Sequence, residues 1–280
     1  MEPEHEPLIS PREALRELSK RLREGWGLEY VKRSAPHAPS TASASASSAP
    51  RRSEPAVAPR APAPLPPAPD APLPEREKAL QGIAREIQSC RACRLCEKRK
   101  QAVPGEGPAD ARVAFVGEGP GYDEDRSGRP FVGAAGQLLT AIIERGMGLE
   151  RSSVWIGNTV KCRPPGNRNP EPDEIQACEP FLRRQLDIVR PAVIVTLGRF
   201  ATQLLTGRSE GILGLRGKVY QVPASWEVAG TPVVPTVHPS FLLRSPEYKP
   251  QCWEDIKLAM KTIGLESRRD GPPRGEGSPT

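Results

Sequence analysis

The chain has 280 residues, with 34 prolines, 25 glycines, six cysteines and a formal net charge of +6. It has no apolar run long enough to span a bilayer, which excludes a membrane-spanning helix. The acidic, proline-containing N-terminus lacks a basic segment followed by an apolar one, which excludes a secretory signal, so a cytoplasmic protein with reduced thiols is expected.

The first predicted element is a short amphipathic helix over residues 11–31, within a segment spanning 1–33. Ser10 can cap it, Pro11 suits its first turn, and Glu13 completes a capping box. Leu15, Leu18 and Leu22 recur at three- and four-residue spacing and make one apolar stripe. So short a helix is marginal in water, and it is either a frayed segment or a docking helix for a protein partner. Residues 34–74 contain 12 Pro, 12 Ala and 7 Ser and no aromatic residue. This composition cannot bury enough apolar surface to offset chain entropy, so a disordered linker is expected. The tail over 266–280 is disordered by the same argument. Residues 75–265 remain, enough for one domain with a proper core.

Within that domain, strands and helices alternate. Helices are predicted over 75–89, 136–145, 172–189, 199–205 and 250–263. Strands are predicted over 112–117, 154–160, 192–198, 218–222 and 232–237. Alternation at this spacing implies an α/β fold, a three-layer α/β/α sandwich around a central, mainly parallel sheet. Sites in such sheets lie beyond the C-terminal ends of the strands. Three segments follow strands in this way, 117–133, 158–169 and 238–244, and they hold the chain's most unusual residues.

Cys90, Cys93 and Cys96 form a C-x2-C-x2-C run at a predicted helix end. Cys162 follows the second strand, and Cys178 lies further on, inside a helix. Two CxxC thiols plus two distant ones make a plausible four-thiolate site, for which zinc and an iron–sulfur cluster are equally suitable. Cys96 is a spare ligand or a bystander, and Cys252 reads as a core residue.

The stretch GEGPGYDEDRSGRPFVG at 117–133 resembles a phosphate loop, but it lacks the sixth-position glycine and the lysine that such loops use. Its acids Glu118, Asp123, Glu124 and Asp125 argue against an anionic ligand. Glycine backbone can approach a flat ligand closely, and carboxylates suit ligand N–H groups or a bound water. Phe131 then offers a stacking face. Asn158 carries a donor and an acceptor side by side, matching the amide edge of a pyrimidine. His238, after the last strand, suits a site where negative charge develops. Lys161, Arg163, Arg168 and Arg244 give the rim a positive charge suited to phosphates.

At these residues the sequence resembles the family 4 uracil-DNA glycosylases, the iron–sulfur type. The motifs GEGPG at 117–121, GRPFVGAAGQLL at 128–139, NTVKCRPPGNR at 158–168 and HPSFLLR at 238–244 stand in the family's order, over roughly residues 80–264. The resemblance implies a [4Fe–4S] cluster held by Cys90, Cys93, Cys162 and Cys178. It implies Glu118 and His238 as catalytic residues. A uracil pocket would be formed by Glu118, Gly119, Glu124, Phe131, Asn158, Asn167 and His238, with Arg163, Arg168 and Arg244 against DNA. The expected activity is that of a monofunctional glycosylase in base excision repair. It would act as a monomer on uracil-containing DNA, single- or double-stranded, and leave an abasic site. A glycosylase with a broader range (hypoxanthine or xanthine) and a non-catalytic DNA-binding protein of the same fold are the alternatives. Tyr122 departs from the family pattern, and the segment before the domain has no counterpart in minimal members.

Overall fold

The computed structural model describes residues 71–265. The expectations for 1–33, for most of the 34–74 linker and for 266–280 lie outside the described residues.

Five strands make one sheet: β1 (Val113–Gly117), β2 (Trp155–Asn158), β3 (Val193–Leu197), β4 (Tyr220–Gln221) and β5 (Pro232–Thr236). Their order is β2-β1-β3-β5-β4. Strands β2, β1, β3 and β5 run parallel, and β4 pairs antiparallel with β5. β1 and β3 are almost wholly apolar and buried at every position, as strands covered on both faces must be. Alternate residues Ala114, Val116 and Ile194 join Leu182, Leu186, Val189, Ala201 and Leu205 in one apolar cluster. The helices are α1 (Leu73–Ser89), α2 (Tyr122–Ser127), α3 (Ala134–Ala141), α4 (Pro172–Val189), α5 (Arg199–Thr206), α6 (Ile212–Leu215), α7 (Pro239–Arg244) and α8 (Lys249–Thr262).

The predicted fold class and all five predicted strands are present. Differences are local. α1 starts at Leu73, just before the expected boundary, because Pro74 sits in the first turn, where its missing N–H costs nothing. The helix expected over 136–145 starts at Ala134 and passes into a π turn over Ile142–Met147. Two of the expected loops contain short helices. α2 opens on Gly121, whose N–H is capped by the Glu124 carboxylate at 3.1 Å. α7 opens on His238, whose ring nitrogen accepts from the Ser240 N–H at 3.1 Å. Each cap is supplied by a residue that sequence reading assigned to ligand chemistry.

α1 is pinned across the domain. Arg76 donates from Nε to the Ile188 carbonyl at 2.9 Å, and Glu86 receives both terminal nitrogens of Arg184 at 2.8 Å. Ile83 and Ile87 pack with Phe181, Ile188, Cys162 and Cys178 in a second apolar cluster. This brings Cys90 and Cys93, beyond the end of α1, to the flank of α4. Among the described residues no helix is long and apolar enough to cross a membrane.

Candidate functional site: a strand-end cleft and a cysteine cradle

A cleft of about 550 Å³ opens beyond the C-terminal ends of β1, β2, β3 and β5. Glu118, Gly119, Glu124, Phe131, Asn158, Asn167 and His238 all line it. Three separate segments thus converge on one space, where a parallel sheet places its ligands.

The glycines of 117–133 have a steric reason. A Cβ on Gly117 would stand 2.5 Å from the Phe131 ring and 2.6 Å from Asn158 Oδ1. Gly117 therefore lets the ring and the amide approach each other over the strand end. Gly136 does the same for the backbone of Phe131, which a Cβ there would meet at 1.9 Å. Phe131 itself sits in the left-handed region, with a φ of 52. Bulky residues rarely adopt that conformation. The strain turns its ring inward, 5.6 Å from the His238 ring.

Glu124 is occupied with its own loop. One carboxylate oxygen accepts from the Val132 and Gly133 N–H groups, both at 2.9 Å, and the other from Gly121. It clamps the loop into shape and presents a fixed wall to the cleft. The Glu118 carboxylate has no hydrogen bond among the described residues, while its backbone carbonyl accepts from the Val160 N–H at 3.0 Å. Burial raises the Glu118 pKa, and the Arg199 charge opposes that shift. Arg199 also lines the cleft, and sequence reasoning missed it. Its only signal was its place after Gly198, which follows β3 in a left-handed conformation.

Asn158 is buried, yet among the described residues its Oδ1 has no hydrogen-bond partner. A buried unpaired carbonyl oxygen costs about 1–3 kcal/mol unless a ligand completes it. His238 is held neutral. Desolvation first, then the Arg244 charge, lower its pKa to about 4. Because Nδ1 accepts from the Ser240 N–H, the ring proton is assigned to Nε2, making that nitrogen a donor.

The cations divide. Arg244 lines the cleft and is exposed. Arg168 also lines it, but its fork holds both oxygens of Glu174, at 2.8 and 2.6 Å. Glu174 is fully buried, and Arg168 and Arg94 hold its pKa down at about 2 against desolvation. Arg163 lies over the Tyr122 ring, 5.2 Å from its centre, and donates from Nε to Asn167 Oδ1 at 2.7 Å. Asn167 is exposed, so it stands at the mouth rather than inside. The expectation that Lys161 belongs to the cationic rim is overturned. Lys161 is buried, and its Nζ donates to the Asn158 carbonyl at 2.9 Å. Burial lowers its pKa to about 8.

A second, small cavity is lined by Cys90, Cys93, Cys96, Cys162 and Cys178, with Arg99 and Lys161. N–H groups point at the sulfurs. Arg99 Nη1 donates to Cys162 at 2.9 Å and the Lys161 N–H to Cys178 at 3.2 Å. Burial pushes the Cys178 thiol up to about 12 and the Cys93 thiol up to about 11. Among the described residues no three such side chains converge closely enough to hold a single metal ion. All six cysteines are free thiols, and Cys252 is buried on α8, as expected of a core residue.

The family model of the uracil DNA glycosylase superfamily matches residues 104–257. A type-4 uracil-DNA glycosylase of Sulfurisphaera tokodaii is 47% identical over 185 residues, covering 64% of this chain and 82% of that protein. One of Thermotoga maritima is 45% identical over 194 residues, covering 68% and 98%. A type-5 uracil-DNA glycosylase of Pyrobaculum aerophilum is 34% identical over 154 residues, covering 50% and 66%. The chain belongs to the uracil DNA glycosylase superfamily, and within it to the type-4 uracil-DNA glycosylases.

Proposed function

We propose that this protein takes uracil out of the DNA stack into the cleft, hydrolyses its N-glycosidic bond and leaves an abasic site. The observation that carries the reading is the buried, unpartnered Oδ1 of Asn158. It is an acceptor waiting for a donor, and the N3–H of uracil is one. Cytosine presents an acceptor at that position, so the same atom repels it. Phe131 stacks on the ring, and Gly119 and the clamped Glu124 bound the space beside it. Asn167 guards the mouth.

The C1′–N1 bond breaks with its electron pair leaving on uracil. The neutral His238 imidazole donates from Nε2 to the oxygen where that charge develops, a preorganised donor in a partly dry site. Glu118, with its raised pKa and free carboxylate, orients the attacking water and takes up its proton as the sugar cation is captured. Among the described residues no lysine lines the cleft, in keeping with a monofunctional enzyme. Arg163 and Arg244 lie against phosphates, and Arg168 supports the loop through Glu174.

Cys90, Cys93, Cys162 and Cys178 would hold a [4Fe–4S] cluster. The donor set fits it. Thiols spread around one small apolar cavity, with N–H groups aimed at sulfur, suit thiolates at the corners of a group larger than one ion. When bound, the cluster supplies a covalent tie between the end of α1, the 158–168 loop and α4.

The test is excision itself. Anaerobically purified protein, incubated with uracil-containing single- and double-stranded DNA and then alkali, is expected to yield strand breaks at uracil and none at thymine. No cleavage despite intact visible absorbance overturns the reading. Equal cleavage at hypoxanthine replaces it with the broader one.

A further inference from the structure

Three of the large apolar side chains that stay exposed, Tyr122, Leu213 and Leu243, fall on segments that wall the cleft. Tyr122 is the most elaborated of them. It is 48% exposed and directly follows Gly121, a cleft residue. Its hydroxyl accepts from Arg126 Nη1 at 2.9 Å, which fixes the ring. The guanidinium groups of Arg163 and Arg126 lie 5.2 and 5.5 Å from the ring centre. Arg163 is itself held by Asn167 at the mouth, and its terminal nitrogens have no acceptor among the described residues. Lys100 adds a third positive charge and Asp123 one negative, and the cations prevail at the hydroxyl. The arrangement holds a half-exposed aromatic residue and the two guanidinium groups over its ring together beside the cleft, across two of its loops.

A surface tyrosine that merely braced two loops would bury its ring between them. Tyr122 as a residue is 48% exposed. An aromatic face with adjacent guanidinium groups matches one nucleotide, the base on the ring and the phosphate on the fork. We propose that Tyr122, with Arg163 and Arg126, forms a stacking platform for the nucleotide adjoining the one whose base enters the cleft. Tyr122 is then a positioning residue that holds the flanking strand and touches no reacting atom. This rests on the glycosylase reading for the identity of the nucleotide in the cleft. The platform itself needs only single-stranded nucleic acid.

The test uses the full-length protein with its cofactor intact. Excision kinetics and equilibrium binding are measured for wild type, Tyr122→Ala and Tyr122→Phe. One single-stranded substrate has normal bases flanking uracil. The other has tetrahydrofuran abasic analogues at both flanking positions. Stacking of one base predicts a KM and a dissociation constant about tenfold higher for Tyr122→Ala on the normal substrate, with kcat affected far less. Tyr122→Phe, which keeps the ring, restores both. On the abasic-flanked substrate the gap between wild type and Tyr122→Ala closes. An equal penalty on both substrates makes Tyr122 a loop brace and overturns the proposal, as does no penalty on either. If wild type does not excise uracil, the glycosylase reading fails, while the binding comparison still decides the platform.

Discussion

The cleft and the cysteine cradle share one loop. Residues 158–168 place Asn158 in the cleft and Cys162 in the cradle, with Lys161 buried between them. In the cradle the donors are already answered. Sulfur accepts from Arg99 and from the Lys161 N–H, and the walls are apolar. In the cleft the key atoms are left open. Among the described residues Asn158 Oδ1 has no partner and the Glu118 carboxylate has no hydrogen bond. A site for a resident group satisfies its own donors and acceptors, whereas a site for a transient ligand leaves them for the ligand to complete. The difference therefore separates structure from chemistry along a single loop.

Two substitutions break that comparison most strongly. Asn158→Ala removes the open acceptor and is expected to lower kcat by about a thousandfold or more, roughly 4 kcal/mol. Discrimination of uracil from cytosine falls with it, while visible absorbance and thermal midpoint change little. Cys178→Ser is expected to do the reverse. It abolishes the visible absorbance and lowers stability by at least about 4 kcal/mol, the stabilisation from a group present at a thousandfold its dissociation constant. Absorbance spectra, thermal unfolding and single-turnover excision on both variants check the pair. Parallel losses in both would mean that the two regions are one functional unit.

The sheet and its helices were legible because strands such as Val193–Leu197 are almost continuously apolar and helices such as Pro172–Val189 carry their acids in the first turn. The seven residues that motif order assigned to a uracil pocket do line one cleft. What the sequence concealed is how charges are divided. Lys161, Arg163, Arg168 and Arg244 look alike in a string. Only folding reveals that one is buried under Asn158, one lies on Tyr122, one is locked to Glu174 and one faces solvent. Lys161 and Arg168 find partners close in sequence, but which nearby acceptor each one takes is set by the turn of the loop, and Arg163 reaches a ring in a different segment. Arg199 was missed although the strand end before it was predicted, because the string does not say which residue beyond that end turns toward Glu118.

Protonation sharpens the cleft side. His238, with a pKa of about 4, stays neutral across the working range and contributes no titration above it. Glu118 must be ionised to accept a proton, and burial raises its pKa. The profile of kcat/KM is therefore expected to have one acid limb, falling as pH drops through a value above the usual carboxylate range. Glu118→Gln is expected to leave a low rate, reduced about a hundredfold or more, without that limb. A limb that survives in Glu118→Gln assigns the titration elsewhere.

Glu174 tests the boundary between the regions, since it precedes Cys178 by one helical turn and holds Arg168 of the cleft. Its depressed pKa means that the carboxylate stabilises the fold fully above the unfolded value of about 4.5, and that this stability is lost as pH falls towards about 2. Glu174→Gln is expected to cost about 2 kcal/mol at neutral pH, the scale of a hydrogen bond to a charged group. That is less than the loss from a fully buried pair, because Arg94 and Arg168 are partly exposed. Denaturant unfolding of wild type and variant should converge as pH is lowered from about 4.5 towards about 2.

The smallest expected effect separates two arginines that the sequence presents as equals. Arg244 is exposed on the cleft rim, so a phosphate it holds displaces a counterion from DNA. Arg244→Gln is expected to reduce the salt slope of single-stranded DNA binding by about 0.7, one contact's share, and to weaken binding severalfold at moderate salt regardless of sequence. Arg168 carries the same formal charge, but Glu174 offsets it through a bidentate pair. Arg168→Gln should leave the slope nearly unchanged and appear instead as lost stability, since it strips a buried carboxylate of its main partner. Binding isotherms over a range of salt concentrations, set beside unfolding curves for both variants, read the two effects independently. A slope change in Arg168→Gln equal to that in Arg244→Gln would mean that DNA pulls the guanidinium away from Glu174 on binding. The loop that links cleft and cradle would then move with the substrate rather than stand fixed beneath it.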